Sequence, residues 1–229
     1  MKRSILTPAN KMQVINKVKD SKFFGSINSA NSRKAAETFI NEIKEKYSDA
    51  SHNVNAYKLG IGDNAIEYAD DDGEPAGSSG PPVLKAIQGA DLTNTVIVVT
   101  RYFGGTKLGI GGLIRAYGDT ARLAIKSAGK KKLELIYKLQ ISGDYNVIGT
   151  ILGQIESFNG KIISTEYDNQ GGKVLLYIKP NRFQELKETL IELTGNKINF
   201  KKISEDYVSS GTNDWHIGNN MVKYFCKVD

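Results

Sequence analysis

The stretch that most constrains the fold of this chain is an apolar strand between an acidic turn and a glycine-rich segment. The predicted strand, residues 95–100, is β-branched and apolar throughout, which is typical of a strand covered on both faces. Residues 70–80, here the acidic turn, read DDDGEPAGSSG, and residues 101–115, here the Gly-rich segment, read RYFGGTKLGIGGLIR. We therefore expect a concave site of opposed charges beside one buried strand.

The Gly-rich segment predicts an anion site or a tight turn. Glycine permits positive φ and close backbone approach, and free N–H groups at a helix start favour an anion. The spacing matches neither a Walker A loop nor a Rossmann fingerprint, so the expected guest is a phosphate of a nucleotide or of RNA. The alternative is that the glycines only let the helix pack closely on the sheet. The candidate binding residues are Arg101, Tyr102, Phe103, Gly104, Gly105, Lys107, Gly109, Gly111, Gly112 and Arg115.

The acidic turn leaves two interpretations open. Clustered carboxylates can bind Mg²⁺ or Ca²⁺, or act as acid and base when their pKa values are split. The alternative, which we favour, is a turn whose carboxylates cap N–H groups or pair with Arg101 or Arg115. Ser78 and Ser79 are expected to cap a helix rather than act as nucleophiles. His52 either reaches this turn or is a plain surface residue. The candidates are His52, Asp71, Asp72, Glu74, Ser78 and Ser79, with no metal ligand assigned.

The first half of the chain mixes strands and helices. Turn residues and apolar periodicity predict a hairpin, a helix capped by Ser32, a strand pair and two further helices. The Pro81-Pro82 pair can open the first of these two helices, since proline is tolerated in a first turn. The predicted ranges are 12–18 and 23–27 for the hairpin, 54–61 and 65–68 for the strand pair, and 113–128 for the long helix.

The second half shows a cleaner pattern. Alternation and helical periodicity give the order β-α-β-β-α-β, the ferredoxin-like split unit. Gly129 and the lysines at 130–132 are interpreted as a linker. We expect domains at residues 1–130 and 131–209 and a tail at 210–229.

Composition bounds the function classes only loosely. The 229 residues suit two domains, and the formal charge of +6 is too mild to establish a nucleic-acid partner. A single cysteine, Cys226, excludes intrachain disulfides and cysteine-based metal clusters. Neither a signal peptide nor a membrane span is expected, so we predict a cytoplasmic protein without membrane contact. The tail, with Trp215 and His216, is either loosely docked or an aromatic anchor.

Three motifs together resemble those of the IMPACT family of YigZ-type proteins. Residues 71–80 resemble its acidic-glycine signature, residues 98–117 its second signature, and His52-Asn53 its short histidine motif. The resemblance covers roughly residues 10–130 strongly. It implies a ribosomal protein S5 domain 2-like first domain and a second domain similar to the last domain of elongation factor G.

The resemblance also implies a connection with translation. Both domain types recur in ribosome-bound proteins, and the eukaryotic members regulate translation through a kinase coactivator. Those members have an additional N-terminal domain that this sequence does not contain, so we do not carry the kinase circuit over. No enzymatic activity is established for the family as a whole.

We therefore expect an α+β protein, with an S5 domain 2-like α/β sandwich followed by a ferredoxin-like domain. Its predicted function is non-enzymatic and translation-associated, with RNA or a ribosomal protein as partner and no cofactor. Arg101, Lys107 and Arg115 would meet phosphates, and Tyr102 and Phe103 would stack on bases. One alternative is a nucleotide- or phosphate-binding protein or enzyme that uses the acidic turn with Mg²⁺. Another is an interaction module that docks a basic protein. The oligomeric state stays open.

Overall fold

A computed structural model describes residues 3–209, which divide into two compact units after Leu133. Residues 210–229, with Trp215, His216 and Cys226, lie outside the described residues. The strands are β1 (Ser4–Pro8), β2 (Met12–Val18), β3 (Ser21–Ser29), β4 (His52–Leu59), β5 (Ile66–Asp70), β6 (Thr95–Tyr102), β7 (Lys130–Gly143), β8 (Lys161–Asp168), β9 (Gly171–Ile178) and β10 (Ile198–Ser209). The helices are α1 (Arg33–Lys46), α2 (Gly80–Gly89), α3 (Gly109–Ala128), α4 (Tyr145–Ser157) and α5 (Pro180–Thr194).

The first unit is an antiparallel sheet with helices on both faces. Its strand order is β2-β3-β6-β4-β5, so β6 lies at the centre. Side chains of a strand alternate between the two faces. Val96 and Val98 of β6 therefore pack in the cluster with α1, while Ile97 and Val99 pack in the cluster with α2 and α3. The expectation of a strand covered on both faces is confirmed.

Two local features of this region were not predicted. No element was assigned to residues 4–8 from the sequence, yet they form β1, in which Ile5 and Thr7 are buried. A tertiary contact holds this segment, since Thr93 donates its N–H to the Leu6 carbonyl. The lysines at 130–132 form the start of β7 rather than a linker. Their side chains alternate between exposed and half-buried, so their charge does not oppose the strand.

The second unit has the predicted β-α-β-β-α-β order. β7 lies between β9 and β10, and β8 pairs with β9. Both helices cover one face of this sheet, where Leu139, Ile151, Leu176, Leu186 and Leu190 are fully buried. The two-domain α+β class predicted from sequence is confirmed. Among residues 3–209, no helix has the length and apolar character needed to cross a membrane.

Candidate functional site

The acidic turn and the Gly-rich segment begin at the same end of the first sheet. His52, the first residue of β4, lies opposite Arg101 near the end of β6. Asp70, the last residue of β5, lies opposite Asn55 of β4. Both segments therefore start at neighbouring strand ends, which explains how residues far apart in sequence come together.

Asp71 caps helix α2. Its carboxylate accepts hydrogen bonds from the backbone N–H groups of Gly77 (2.7 Å), Ser79 (2.9 Å) and Gly80 (2.8 Å), and from the Ser79 hydroxyl (2.6 Å). The expectation that the serines cap this helix is wrong. Ser79 stands at the N-cap position but donates to Asp71, and the Ser78 hydroxyl is buried without a hydrogen-bond partner within residues 3–209.

The cap keeps Asp71 ionised. Burial raises the pKa of this carboxyl, but the Ser79 hydroxyl and the three backbone N–H groups outweigh burial and hold the pKa below its usual range. A carboxylate at a helix N-terminus also interacts favourably with the helix dipole. Asp71 therefore has a structural role in this turn, as one of the two interpretations anticipated.

Asp72 ties the turn to α1 and β4. Its carboxylate pairs with Lys44 at 2.6 Å and accepts the Asn53 N–H at 2.7 Å. Burial raises the pKa of Asp72, and the Lys44 and Asn53 hydrogen bonds bring it below its usual value. His52 Nδ1 lies 2.8 Å from the Asp72 carbonyl oxygen, so this histidine does reach the acidic turn.

Glu74 forms the buried centre of the site. Its Oε1 atom lies 2.6 Å from Arg101 Nη1 and accepts the Tyr117 hydroxyl at 2.7 Å. His52 Nε2 lies 3.9 Å from the same oxygen. Both members of the ion pair are less than 10% exposed, at 8% for Glu74 and 5% for Arg101. The pKa of Tyr117 is strongly raised, first by burial and then by its hydrogen bond to Glu74.

The ion pair between Glu74 and Arg101 leaves neither side chain available to a ligand. Arg101 was expected to meet phosphate, but its guanidinium lies between Glu74 and the Phe23 ring, 5.5 Å from the ring centroid. Its charge is therefore neutralised within the fold. The carboxylates of the acidic turn are likewise engaged by protein donors. Across residues 3–209, no group of three or more His, Cys, Asp or Glu side chains is arranged to hold a metal ion.

The first part of the Gly-rich segment is fastened to the β2–β3 turn. The Gly104 N–H donates to the Ser21 hydroxyl at 3.2 Å, and the Thr106 hydroxyl donates to the Asp20 carboxylate at 2.6 Å. A Cβ on Gly104 would lie 2.0 Å from the Asp20 carbonyl oxygen. Only glycine permits this approach, so the backbone contact itself explains the residue.

The second part presents unpaired positive charge. Lys107 and Arg115 are exposed, and neither has an acidic side chain within ion-pair distance in the described part of the chain. They flank the start of α3, whose N-cap Leu108 provides no side-chain hydrogen bond and whose first turn contains no acidic residue. The first N–H groups of a helix lack intrahelical partners, so these donors remain available to an anion.

Two aromatic residues begin the Gly-rich segment. The Tyr102 hydroxyl donates to the Asp49 carboxylate at 2.6 Å, and this hydrogen bond raises the pKa of Tyr102 to about 12. Phe103 is 46% exposed, with the Arg101 guanidinium 5.2 Å from its ring centroid. Sequence reasoning missed Phe24 and Tyr47, whose rings both contact the Tyr102 ring. No local pattern indicates them, because helix α1 and the strand register bring them together.

The similarity of this chain to known proteins includes the acidic turn and the Gly-rich segment. A family model described as the Impact N-terminal domain matches residues 19–125, which include both. The chain is 32% identical to the IMPACT family member YvyE of Bacillus subtilis, over 86% of this chain and 89% of that protein. It is 30% identical to the IMPACT family member YigZ of Escherichia coli, over 72% of this chain and 81% of that protein.

A solved structure extends the similarity to the fold. A crystal structure described as that of a hypothetical protein is 26% identical and superposes with a TM-score of 0.67, over 89% of this chain and 99% of that chain. The match therefore spans both units rather than the first alone. With its identity to YvyE over most of both chains, this shows that the protein belongs to the IMPACT family.

Proposed function

We propose that this protein is a translation-associated regulatory protein that binds RNA through the Gly-rich segment. The observation that carries this proposal is the pair of exposed cations beside an uncapped helix start. Lys107 precedes the first turn of α3 and Arg115 follows it. Phosphate groups are the anions that suit backbone N–H donors combined with lysine and arginine.

The open position of this surface favours a polymer over an enclosed nucleotide. Lys107, Gly109, Gly111 and Arg115 are all exposed. An extended phosphate backbone can contact such residues one after another, and the glycines leave room for it. The carboxylates that a Mg²⁺-dependent nucleotide site would need are held by Lys44, Arg101 and the α2 N-terminus. The connection to translation rests on the family, whose eukaryotic members regulate it.

Arg101 and Glu74 have a different part in this proposal. They link the end of β6 to α3 through Tyr117, which fixes the position at which the Gly-rich segment begins. We assign them to positioning rather than to phosphate contact. The acidic turn then supports the binding segment from behind instead of contributing ligands.

Co-sedimentation with ribosomes across a salt series tests the proposal. Phosphate contacts release counterions, so binding falls with salt by about 0.7 in log–log slope per contact on a single strand. We expect Lys107→Ala/Arg115→Ala to weaken binding and to lower this slope by about 1.4. The matched control, Lys197→Ala/Lys201→Ala, removes the same charge from two exposed positions of the second unit.

The outcomes separate the alternatives. A control variant that binds like the wild type, beside a weakened Lys107→Ala/Arg115→Ala, supports the proposal. Equal binding by all three proteins would overturn the assignment of phosphate contacts. If ribosomes are not bound at low salt, thermal stabilisation by nucleotides with Mg²⁺ would favour the nucleotide-binding alternative.

A further inference from the structure

We propose that a cavity beside the Gly-rich segment accepts one unpaired RNA base. This inference rests on the proposed function and adds a second subsite to it. The cavity has a volume of about 370 Å³ and lies on the α1 face of the first sheet. It is lined by Asp20, Lys22, Phe24, Tyr47, Tyr102 and Phe103.

The lining offers aromatic surface in a fixed arrangement. Phe24 stacks on Tyr47 at a centroid distance of 5.4 Å and meets Tyr102 edge to face at 5.9 Å. The Tyr47 hydroxyl donates to the Gln13 side chain at 2.9 Å, and the Tyr102 hydroxyl donates to Asp49 at 2.6 Å. The rings are therefore oriented before any ligand arrives, which reduces the entropy lost on binding.

The charges of the lining favour a neutral aromatic ligand. Asp20 and Lys22 contribute one charge of each sign, so the net charge of the lining favours neither an anionic nor a cationic ligand. The Lys46 ammonium already lies 5.1 Å from the centroid of the Tyr47 ring, which disfavours a second cation at that ring. A base offers both donors and acceptors at its edge, which the Asp20 carboxylate and the Lys22 ammonium can meet.

The cavity is continuous with the proposed phosphate surface. Phe103 belongs to the cavity lining and to the Gly-rich segment, and Thr106 is hydrogen-bonded to the lining residue Asp20. Lys107 is the next residue. One strand can therefore place a phosphate at Lys107 and a neighbouring base against the aromatic rings. A paired base has its faces covered by its neighbours, so the site selects single-stranded RNA.

Binding of three labelled RNAs to the full chain tests this subsite. The probes are a single-stranded ten-nucleotide RNA, the duplex of that sequence, and a strand of the same length without bases. We expect Tyr102→Leu to weaken binding of the single strand by about 5- to 150-fold, the range for loss of one stacked base. The abasic strand should bind the wild type and Tyr102→Leu equally, with an unchanged salt slope.

Two further variants isolate the ring. Tyr102→Phe keeps the aromatic surface and loses only the hydrogen bond to Asp49, so single-strand binding should stay within about 3-fold of the wild type. Tyr145→Leu is the control, because Tyr145 is an exposed tyrosine of the second unit whose ring contacts another tyrosine, Tyr167, as Tyr102 contacts Tyr47. It should bind all three probes like the wild type.

The outcomes distinguish this inference from the proposed function. A wild type that binds none of the three RNAs overturns the proposed function and this subsite with it. A wild type that binds with salt sensitivity, beside a Tyr102→Leu that binds the single strand equally well, overturns the subsite alone. If Tyr102→Leu binds RNA like the wild type but no longer binds an arginine-rich peptide that the wild type binds, the cavity belongs to a cationic partner instead. Photocrosslinking of a 4-thiouridine RNA to Phe24, Tyr47, Tyr102 or Phe103 tests the site in the unsubstituted protein.

Discussion

At the scale of single residues, the site depends on one buried carboxylate with several partners. Glu74 accepts from Arg101 and Tyr117 through the same oxygen, beside the hydrophobic cluster to which Tyr117 belongs. A buried ion pair need not stabilise a fold relative to apolar residues, but its two members depend on each other. Removing one leaves the other charged and unpaired in a region of low dielectric.

We therefore expect Glu74→Gln to lower the free energy of unfolding by about 3–5 kcal/mol, because Arg101 stays charged and buried without a negatively charged partner. Glu74→Gln/Arg101→Met should recover part of this loss, so the two single effects should not add. Urea denaturation of the four proteins measures the coupling. The control is Glu42→Gln, which breaks the Lys11–Glu42 pair of the same 2.6 Å length at the surface and should cost less than about 1 kcal/mol. Additive effects of the two single substitutions would contradict the coupled pair.

At the scale of elements, the start of α2 depends on a residue outside the helix. Asp71 precedes the N-cap Ser79 by eight residues, and the chain between them folds back so that one carboxylate serves Gly77, Ser79 and Gly80. The sequence indicated that carboxylates of this turn cap N–H groups. It did not indicate which one does so, because Gly73 and Gly77, both at positive φ, determine the path of the turn.

This cap predicts a pH-dependent contribution to stability. The pKa of Asp71 is lowered in the folded protein, so its contribution is complete above the pKa of the unfolded chain, about 3.9, and is lost as the pH falls through the folded value. Asp71→Ala should therefore cost about 1–2 kcal/mol at pH 7 and progressively less below pH of about 4. Denaturant titrations of both proteins between neutral and acid pH measure this gap.

The control for the cap is Asp63→Ala. Asp63 is an exposed aspartate in the turn between β4 and β5, so its substitution should change stability by less than about 0.5 kcal/mol at either pH. A gap between the wild type and Asp71→Ala that widens on acidification would contradict the assigned cap.

At the scale of the whole molecule, much of the architecture could be predicted because it repeats a local pattern. The apolar run of β6 indicated a strand between two layers, and periodicity indicated the split unit of the second half. What could not be predicted depends on tertiary contacts. Residues 92–94 hydrogen-bond to β1, which lies far from them in sequence. Arg101 lies opposite His52 in the sheet, and both side chains meet Glu74 from there. The aromatic cavity, built from three separate elements, leaves no local signal at all.

Separate hydrophobic clusters in the two units predict that damage to one core stays local. Ile151 of α4 is fully buried against β7 and β9 residues of the second unit, whereas the residues around β6 belong to clusters of the first unit. We expect Ile151→Ala to lower the free energy of unfolding by about 2–5 kcal/mol, because it leaves a cavity lined by second-unit side chains. Hydrogen exchange should therefore increase in β9 and α5 and stay unchanged in β6.

Leu193→Ala, at a 55% exposed position on α5, is the matched control and should change hydrogen exchange in none of these elements. Equal loss of protection in β6 and β9 would instead show that the two units unfold as one. If only the second unit is affected, RNA binding retained by Ile151→Ala would place the binding function in the first unit, whose sheet carries both the Gly-rich segment and the acidic turn.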